Sequence, residues 1–310
     1  MHYSVMLQES LEGLNLKDSG IYVDCTLGYA GHSSEILKKL KREKRGFLFA
    51  FDQDKEAISY ADQKLKKIGD NYLIIKSNFK NIKQELKKQD IEFVDGILFD
   101  LGVSSPQLDN KERGFSYHND ARLDMRMDQD SDFSAYNVVN EYSEEKLRQI
   151  IFQYGEEKYA ASIAKNIVKA RMQKPIETTL ELVEIIKKSM PYKDRLTKHP
   201  GKRTFQAIRM EVNHELEVLD IALHDALDLL NIHGRLVVIT FHSLEDKMVK
   251  DLFKEVSSVP RELQSLPIIP SEYEPKFKII NQKAIVPSAK ELEENNRSRS
   301  SKLRIIERIK

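Results

Sequence analysis

The sequence predicts an α/β protein: a Rossmann-like, mostly parallel sheet interrupted by an inserted helical domain. Three observations predict it. Short apolar, β-branched runs alternate with amphipathic stretches up to residue 100 and again after residue 204. Three of the early runs end in an acid, at Asp24, Asp52 and Asp100. Between the two regular regions the alternation stops and helical periodicity takes over.

In chain order, Val5–Leu14 reads as a short lead-in helix stopped near Gly13 and Asn15. Ile21–Val23 is the first strand, ended by Asp24. A glycine turn, Gly28–Gly31, leads into a helix opened by Ser33 and Ser34, with Ile36, Leu37 and Leu40 on one side. Strand, tight turn and helix build a ligand crevice at the carboxyl end of a parallel strand. The second strand, Gly46–Asp52, ends roughly 20 residues beyond the turn, a spacing that suits a carboxylate gripping the two hydroxyls of a ribose. A surface ion pair is the alternative for Asp52. Asp54 or Lys55 starts a helix carrying Ala57, Ile58, Ala61, Leu65 and Ile68, which Gly69 ends. Tyr72–Lys76 is the third strand, and Asn81 caps a helix to Lys88. Phe93–Asp100 is the fourth.

Leu101–Leu108 then reads as a loop with turn chemistry at Gly102 and Ser105-Pro106. Helices are expected at 134–142, 143–154, 156–172 and 179–190, the last opened by a Thr178/Glu181 capping box. The division is therefore a sheet domain in two parts, 1–112 and 205–310, around a helical insertion at 113–204. One long helix, Thr204–Leu230, returns the chain to the sheet, and Arg235–Phe241 is the fifth strand. Ser243 and Asp246 cap the next helix, to Glu255. Two terminal strands follow, Lys276–Ile280 and 302–309, the last read as antiparallel.

Composition narrows the function. Lys+Arg 50 against Asp+Glu 49 gives a net charge of +1, so any basic surface is local. One such run lies between Tyr192 and Arg209: Lys193, Arg195, Lys198, Lys202, Arg203 and Arg209, opposed by Asp194 alone. Another holds Arg297, Arg299, Lys302 and Arg304. Each run reads as a phosphate contact or as a solvated face. The single cysteine, Cys25, excludes an intramolecular disulfide framework and a cysteine-rich zinc site, and fits a reducing cytosol. No signal peptide or membrane span is expected. No histidine–carboxylate cluster has metal-ligand spacing, so no metal is expected.

Five α/β units and two terminal strands describe the fold of S-adenosylmethionine-dependent methyltransferases. Dinucleotide dehydrogenases share the first half but usually keep a complete G-x-G-x-x-G turn, and here Ala30 stands where a glycine might. A nicotinamide-dependent oxidoreductase and a non-catalytic RNA-binding assembly factor remain the rivals. In the crevice, Asp24 either faces the methionine ammonium or caps its turn. Phe79 either lies against adenine or belongs to the core. His32 and His242 invite a catalytic role, although lone histidines are more often structural.

Several peptides together resemble one family. They include His2-Tyr-Ser-Val-Met-Leu, Tyr22–His32, Phe51-Asp-Gln-Asp and Asp95–Asp109, then Arg113–Tyr117 and Leu123-Asp-Met-Arg-Met-Asp. Thr204–Arg209, Val212–Leu216, Phe241–Lys247 and Ser298–Arg304 continue the series in order. The chain resembles the bacterial 16S ribosomal RNA cytosine-N4 methyltransferases, the MraW family. The resemblance implies S-adenosylmethionine as donor, with contacts at Ala30, Gly31, His32, Asp52, Phe79, Asp100 and Gln107. Ala30 departs from the family's usual glycine, and Ala121-Arg122 from its usual Gly-Pro. The implied substrate is a cytosine in the decoding region of 16S rRNA within the small ribosomal subunit, and the implied location is the cytoplasm. Ser104 and Ser105 are candidate acceptors of the cytosine amine hydrogens, and Asp124 is a candidate for taking the proton. Lys202, Arg203, Arg297 and Arg299 are the candidate RNA contacts.

Overall fold

Seven strands meet in one sheet in the computed structural model, which describes residues 4–103, 105–195, 199–263 and 270–310. They are β1 (Ile21–Asp24), β2 (Phe47–Asp52), β3 (Tyr72–Lys76), β4 (Val94–Asp100), β5 (Leu230–Thr240), β6 (Phe277–Ile279) and β7 (Lys302–Arg308). Their order is β3-β2-β1-β4-β5-β7-β6. β1 to β5 run parallel, and β7 runs antiparallel to both β5 and β6, as the sequence reading of the last strand expects. The chain divides into two compact units, residues 1–102 with 217–310, and residues 103–216.

The first unit is the sheet with its helices. Successive strand residues point to opposite faces, so each strand feeds two cores. Val23, Phe49, Phe51, Ile97 and Phe99 enter one. Tyr22, Leu48, Ala50, Leu98, Val237 and Ile239 enter the other. Burial on both faces explains why these strands read as continuous apolar runs with no alternation. Of its helices, α1 (Leu7–Leu14), α2 (Gly31–Lys39) and α3 (Lys55–Leu65) concern the site. β1 lies between β2 and β4, with Val23 opposite both Phe49 and Ile97. The strand order therefore reverses at β1, and the reversal opens a crevice at the carboxyl ends, where Asp24, Asp52 and Asp100 stand.

The second unit is helical, with a core of its own that includes Leu147, Ile150, Ile163, Ile167, Leu182 and Ile186. Thr178 and Glu181 form the expected capping box. The unit is wider than the stretch of lost alternation because its core recruits both flanks. Val103 and Leu108 pack against it at one end, and Phe205, Ile208 and Val212 are part of it at the other.

Some expected details differ. The single helix expected over Thr204–Leu230 is two, Gly201–Val212 and Glu215–Leu229. His214 takes a left-handed φ of +50° at the break. There the Asn213 side-chain amide donates to the Arg209 and Met125 carbonyls, while its oxygen accepts the Met127 amide. Apolar periodicity runs through such a break unchanged, because a kink alters direction without altering the spacing of buried residues. Part of the expected loop after β4 is a short helix, Ser105–Asp109. The helix after β5 is capped by His242 and Glu245, one residue earlier than the Ser243/Asp246 pair. Among the described residues no helix is long and apolar enough to cross a membrane.

Candidate active site

The crevice of the first unit is built around three acids with different work. Asp24, 1% exposed, spends both oxygens locally. Oδ1 accepts the Thr26 amide at 3.1 Å, and Oδ2 accepts the Ser33 hydroxyl at 2.6 Å. Of the two roles open to it, the turn-capping one is thus occupied. Thr26 Oγ1 in turn accepts the Asp100 amide at 2.7 Å, which ties the end of β4 to the end of β1.

Asp52 holds the turn from the other side. Its Oδ2 accepts the Gly28 amide at 2.8 Å and its Oδ1 the Asp54 amide at 2.9 Å. Burial pushes its carboxyl up to about 6, against those amides, which favour the charge. Gly28 has a φ of +48°, and a Cβ there would meet only the Thr26 carbonyl oxygen at 3.9 Å, so the backbone is open beside it.

Ala30 sits in the left-handed region too, at φ +54° and ψ +42°, as the cap of α2. An L-residue is strained there. Its amide donates to the Leu27 carbonyl at 2.8 Å and closes the turn. Its carbonyl, with that of Tyr29, accepts the Lys64 ammonium from α3 at 3.1 and 3.2 Å. The next two amides, of Gly31 and His32, have no partner among the described residues. They are the first-turn amides that an α-helix leaves unsatisfied. A Cβ at Gly31 would meet the Ser4 hydroxyl, which would have to turn away.

His32 is buried and held between α1's approach and β4. Its Nε2 lies 3.1 Å from the Val5 carbonyl oxygen, which only accepts, so Nε2 carries a hydrogen. Nδ1 faces Asp100 Oδ2 at 3.6 Å. Burial pushes the Asp100 carboxyl up to about 6, with His32 pulling the other way. Asp100 Oδ1 is buried without a hydrogen-bond partner among the described residues. A buried, unmatched acceptor at the mouth of a crevice is a place for a ligand's donor. Phe79, partly buried, meets Phe99 edge-on at 5.4 Å and packs on one sheet core.

The structure thus brings Ala30, Gly31, His32, Asp52, Phe79 and Asp100 into the first unit. Gln107 lies in the second unit, on the helix Ser105–Asp109, as does Ser105. Ser104 lies outside the described residues, as does Lys198. Asp124, in the second unit, is gripped by Arg126: Oδ1 accepts Nε at 2.9 Å and Oδ2 accepts Nη2 at 2.7 Å. Burial disfavours its charge, but the Arg126 hydrogen bonds outweigh that and hold the carboxyl below its ordinary range.

The basic runs separate into spent and exposed charges. Arg195 donates twice to the Met190 carbonyl, and Arg209 forms a forked pair with Glu215 at 2.7 and 2.8 Å. Lys302 and Arg304 both bind Asp246, at 2.9 and 2.7 Å. Lys202, Arg203, Arg297 and Arg299 are exposed, with one Arg203 nitrogen on the Glu156 carbonyl.

Three supporting residues escaped the sequence reading. Thr26 and Ser33 lie inside the opening stretch, where two hydroxyls flanking a glycine turn are a usable signal. Lys64 has none, being a lysine on an amphipathic helix far along the chain. His242 proves to be a cap: its Nδ1 accepts the Glu245 amide at 3.4 Å, and Glu245 Oε2 accepts the Phe241 amide.

Residues 1–309 match the MraW methylase family. The chain is 56% identical, over its full 310 residues and 98% of the other, to ribosomal RNA small subunit methyltransferase H of Exiguobacterium sibiricum. It is also similar to a solved rRNA methylase from Streptococcus thermophilus, at 13% identity and a TM-score of 0.45 with 100% of both chains covered. With this seven-stranded sheet and its acid-lined crevice, the chain belongs to the MraW methylase family, whose members are enzymes that draw their methyl group from S-adenosylmethionine.

Proposed function

We propose that the methyl group is delivered to the exocyclic N4 of a cytosine in the decoding region of 16S ribosomal RNA, in the small ribosomal subunit, in the cytoplasm. The substrate class rests on the full-length identity to a small-subunit RNA methyltransferase. The choice of atom rests on one observation. Cys25, the chain's sole thiol, follows β1 and is 2% exposed, and burial pushes it well above its ordinary range. Methylation at carbon 5 of a pyrimidine normally begins with a thiolate adding to the ring, and this thiol is in no state to do so. An exocyclic amine needs only alignment and acceptors for its hydrogens.

The first unit's crevice fits S-adenosylmethionine. It offers two unsatisfied first-turn amides, an open backbone at Gly28 and an unmatched buried acceptor on Asp100. When bound, the donor supplies an electrophilic methyl on its sulfonium. We assign Asp52 to the ribose hydroxyls, the Gly31 and His32 amides to the methionine carboxylate, Asp100 to a donor nitrogen and Phe79 to the adenine. Ala30 shapes the turn, since its amide is already taken. The family resemblance keeps Gln107 as a further contact. Ser104 and Ser105, just after β4 in sequence, supply acceptors for the amine. Asp124 suits proton uptake poorly, with both oxygens on Arg126 and a lowered pKa, so its role is to hold the Leu123–Asp128 loop. The helical domain, 113–204 in the sequence reading, serves the RNA.

The test is nucleoside mass spectrometry of unmethylated small subunits treated with this protein and S-adenosylmethionine, using wild type and Cys25→Ser. N4-methylcytosine from both is expected. A 5-methylcytosine product that disappears with the thiol would overturn the reading.

A further inference from the structure

Within the helical unit, four aromatic rings form a column from the core to the surface. Phe205, 3% exposed, is its root. Tyr117 stands edge-on to it at 5.7 Å and is half-buried. The Tyr117 ring stacks on His199 at 4.3 Å with 26° between planes, and meets His118 at 4.5 Å. His118 and His199 lie 4.8 Å apart, and His118 is the exposed end.

One hydrogen bond and one close approach position the column. His199 Nδ1 accepts the Gly201 amide at 3.2 Å, which fixes that ring's tautomer and orientation. A Cβ at Gly201 would come within 3.3 Å of Tyr117 and 3.4 Å of the His199 ring, so the glycine lets the helix start pass close beneath the rings. Lys202 and Arg203 follow immediately, both exposed. Burial lowers the His199 pKa, and the nearby His118 and Lys187 lower it further, so this ring presents a neutral face.

Neither packing nor capping requires His118 at the end of this column, since Tyr117 already closes the core over Phe205. Rigid, exposed rings beside cations are how proteins hold unstacked bases of single-stranded RNA. The ring faces take the base, and the cations take the phosphates. We propose that the Tyr117–His118–His199 column is a stacking site for an unpaired nucleotide of the RNA substrate, other than the methylated one, with Lys202 and Arg203 on its flanking phosphates. This rests on the RNA reading given above and adds a subsite to it.

The experiment is steady-state methylation of unmethylated small subunits by the full-length protein with labelled S-adenosylmethionine. Wild type, His118→Ala and His118→Phe are compared, with donor affinity measured by calorimetry and folding by melting curves. Loss of one stacked base is expected to raise the KM for the subunit about tenfold in His118→Ala. Its kcat, donor affinity and melting curve stay unchanged, and His118→Phe returns KM to the wild-type value. An unchanged KM in His118→Ala, or a phenylalanine variant as impaired as the alanine one, overturns the stacking site while methylation by wild type continues. A wild-type protein that transfers no methyl to these subunits overturns the RNA reading itself, and the subsite with it.

Discussion

His32 Nδ1 and Asp100 Oδ2 face each other at 3.6 Å at the carboxyl end of β4. The His32 Nε2 hydrogen is already committed to Val5, so a neutral ring turns a bare nitrogen toward the carboxyl. Burial holds the Asp100 carboxyl up at about 6, against the pull of His32, so the carboxyl takes up a proton in mildly acid solution.

The first prediction is a pH-dependent stability. The folded-state pKa of Asp100 lies above its ordinary 3.8, at about 6. Its contribution is therefore full below about 4 and lost as pH rises through about 6, where the buried carboxyl must ionise. Asp100→Asn removes the titration. Without donor, the variant should be more stable than wild type at pH 7.5 by about 1–3 kcal/mol, with the advantage shrinking toward pH 5. Melting curves at the two pH values check it. An advantage that does not change with pH assigns the gain to something other than this carboxyl.

Asp52→Ala should weaken S-adenosylmethionine binding by roughly 1.5–3 kcal/mol, the loss expected for charge-assisted hydrogen bonds. Wild-type affinity should fall as pH drops below about 6, because protonation of Asp52 competes with the donor's hydroxyls. Calorimetry between pH 5.5 and 8 tests both. Equal affinity for wild type and variant at pH 7.5 removes Asp52 from the donor site.

Ala30→Gly tests the left-handed cap. Relief of backbone strain is worth about 1–2 kcal/mol. The lost buried methyl costs about 0.8 kcal/mol, and the freer unfolded chain costs about 0.4–1 kcal/mol. The opposing terms leave a net stability change within about 1 kcal/mol and, since the amide bond to Leu27 persists, an unchanged donor affinity. A large loss of stability in denaturant melts would show that the methyl packs more tightly than its size implies.

Replacing Lys202 and Arg203 together with alanine should reduce the slope of log affinity for RNA against log salt by about 1–2. Filter binding over a salt series measures it, and an identical slope leaves both residues as ordinary surface charges.

The sheet was legible in the sequence because strands buried on both faces announce themselves as apolar runs, and because three of the first four, β1, β2 and β4, end in an acid. Asp52 and Asp100 were readable for the same reason: position at a strand end is a one-dimensional property. What was not legible depends on three-dimensional partners. The pattern of residue types does not say which way the turn folds the Ala30 amide onto Leu27 or Arg126 onto Asp124, and nothing near Lys302 and Arg304 in the chain says that they share Asp246. The break at His214 escaped because burial periodicity is blind to a change of direction. The edges of the helical unit escaped because Phe205, Ile208 and Val212 look alike whichever core they join.

Residues 103–216 sit between β4 and its partner β5, and that placement has a kinetic consequence. As the chain emerges from the ribosome, β1 to β4 appear first with one edge of β4 unpaired. The helical unit, rich in local contacts, is complete before β5 is made. The sheet closes only when β5 arrives and β7, the last strand of all, slides in between β5 and β6. A chain cut short before residue 302 lacks the strand that joins β6 to the rest. Such a truncated product has a finished helical unit and an open-edged sheet, and the open edge suits it to capture by chaperones or by its own kind.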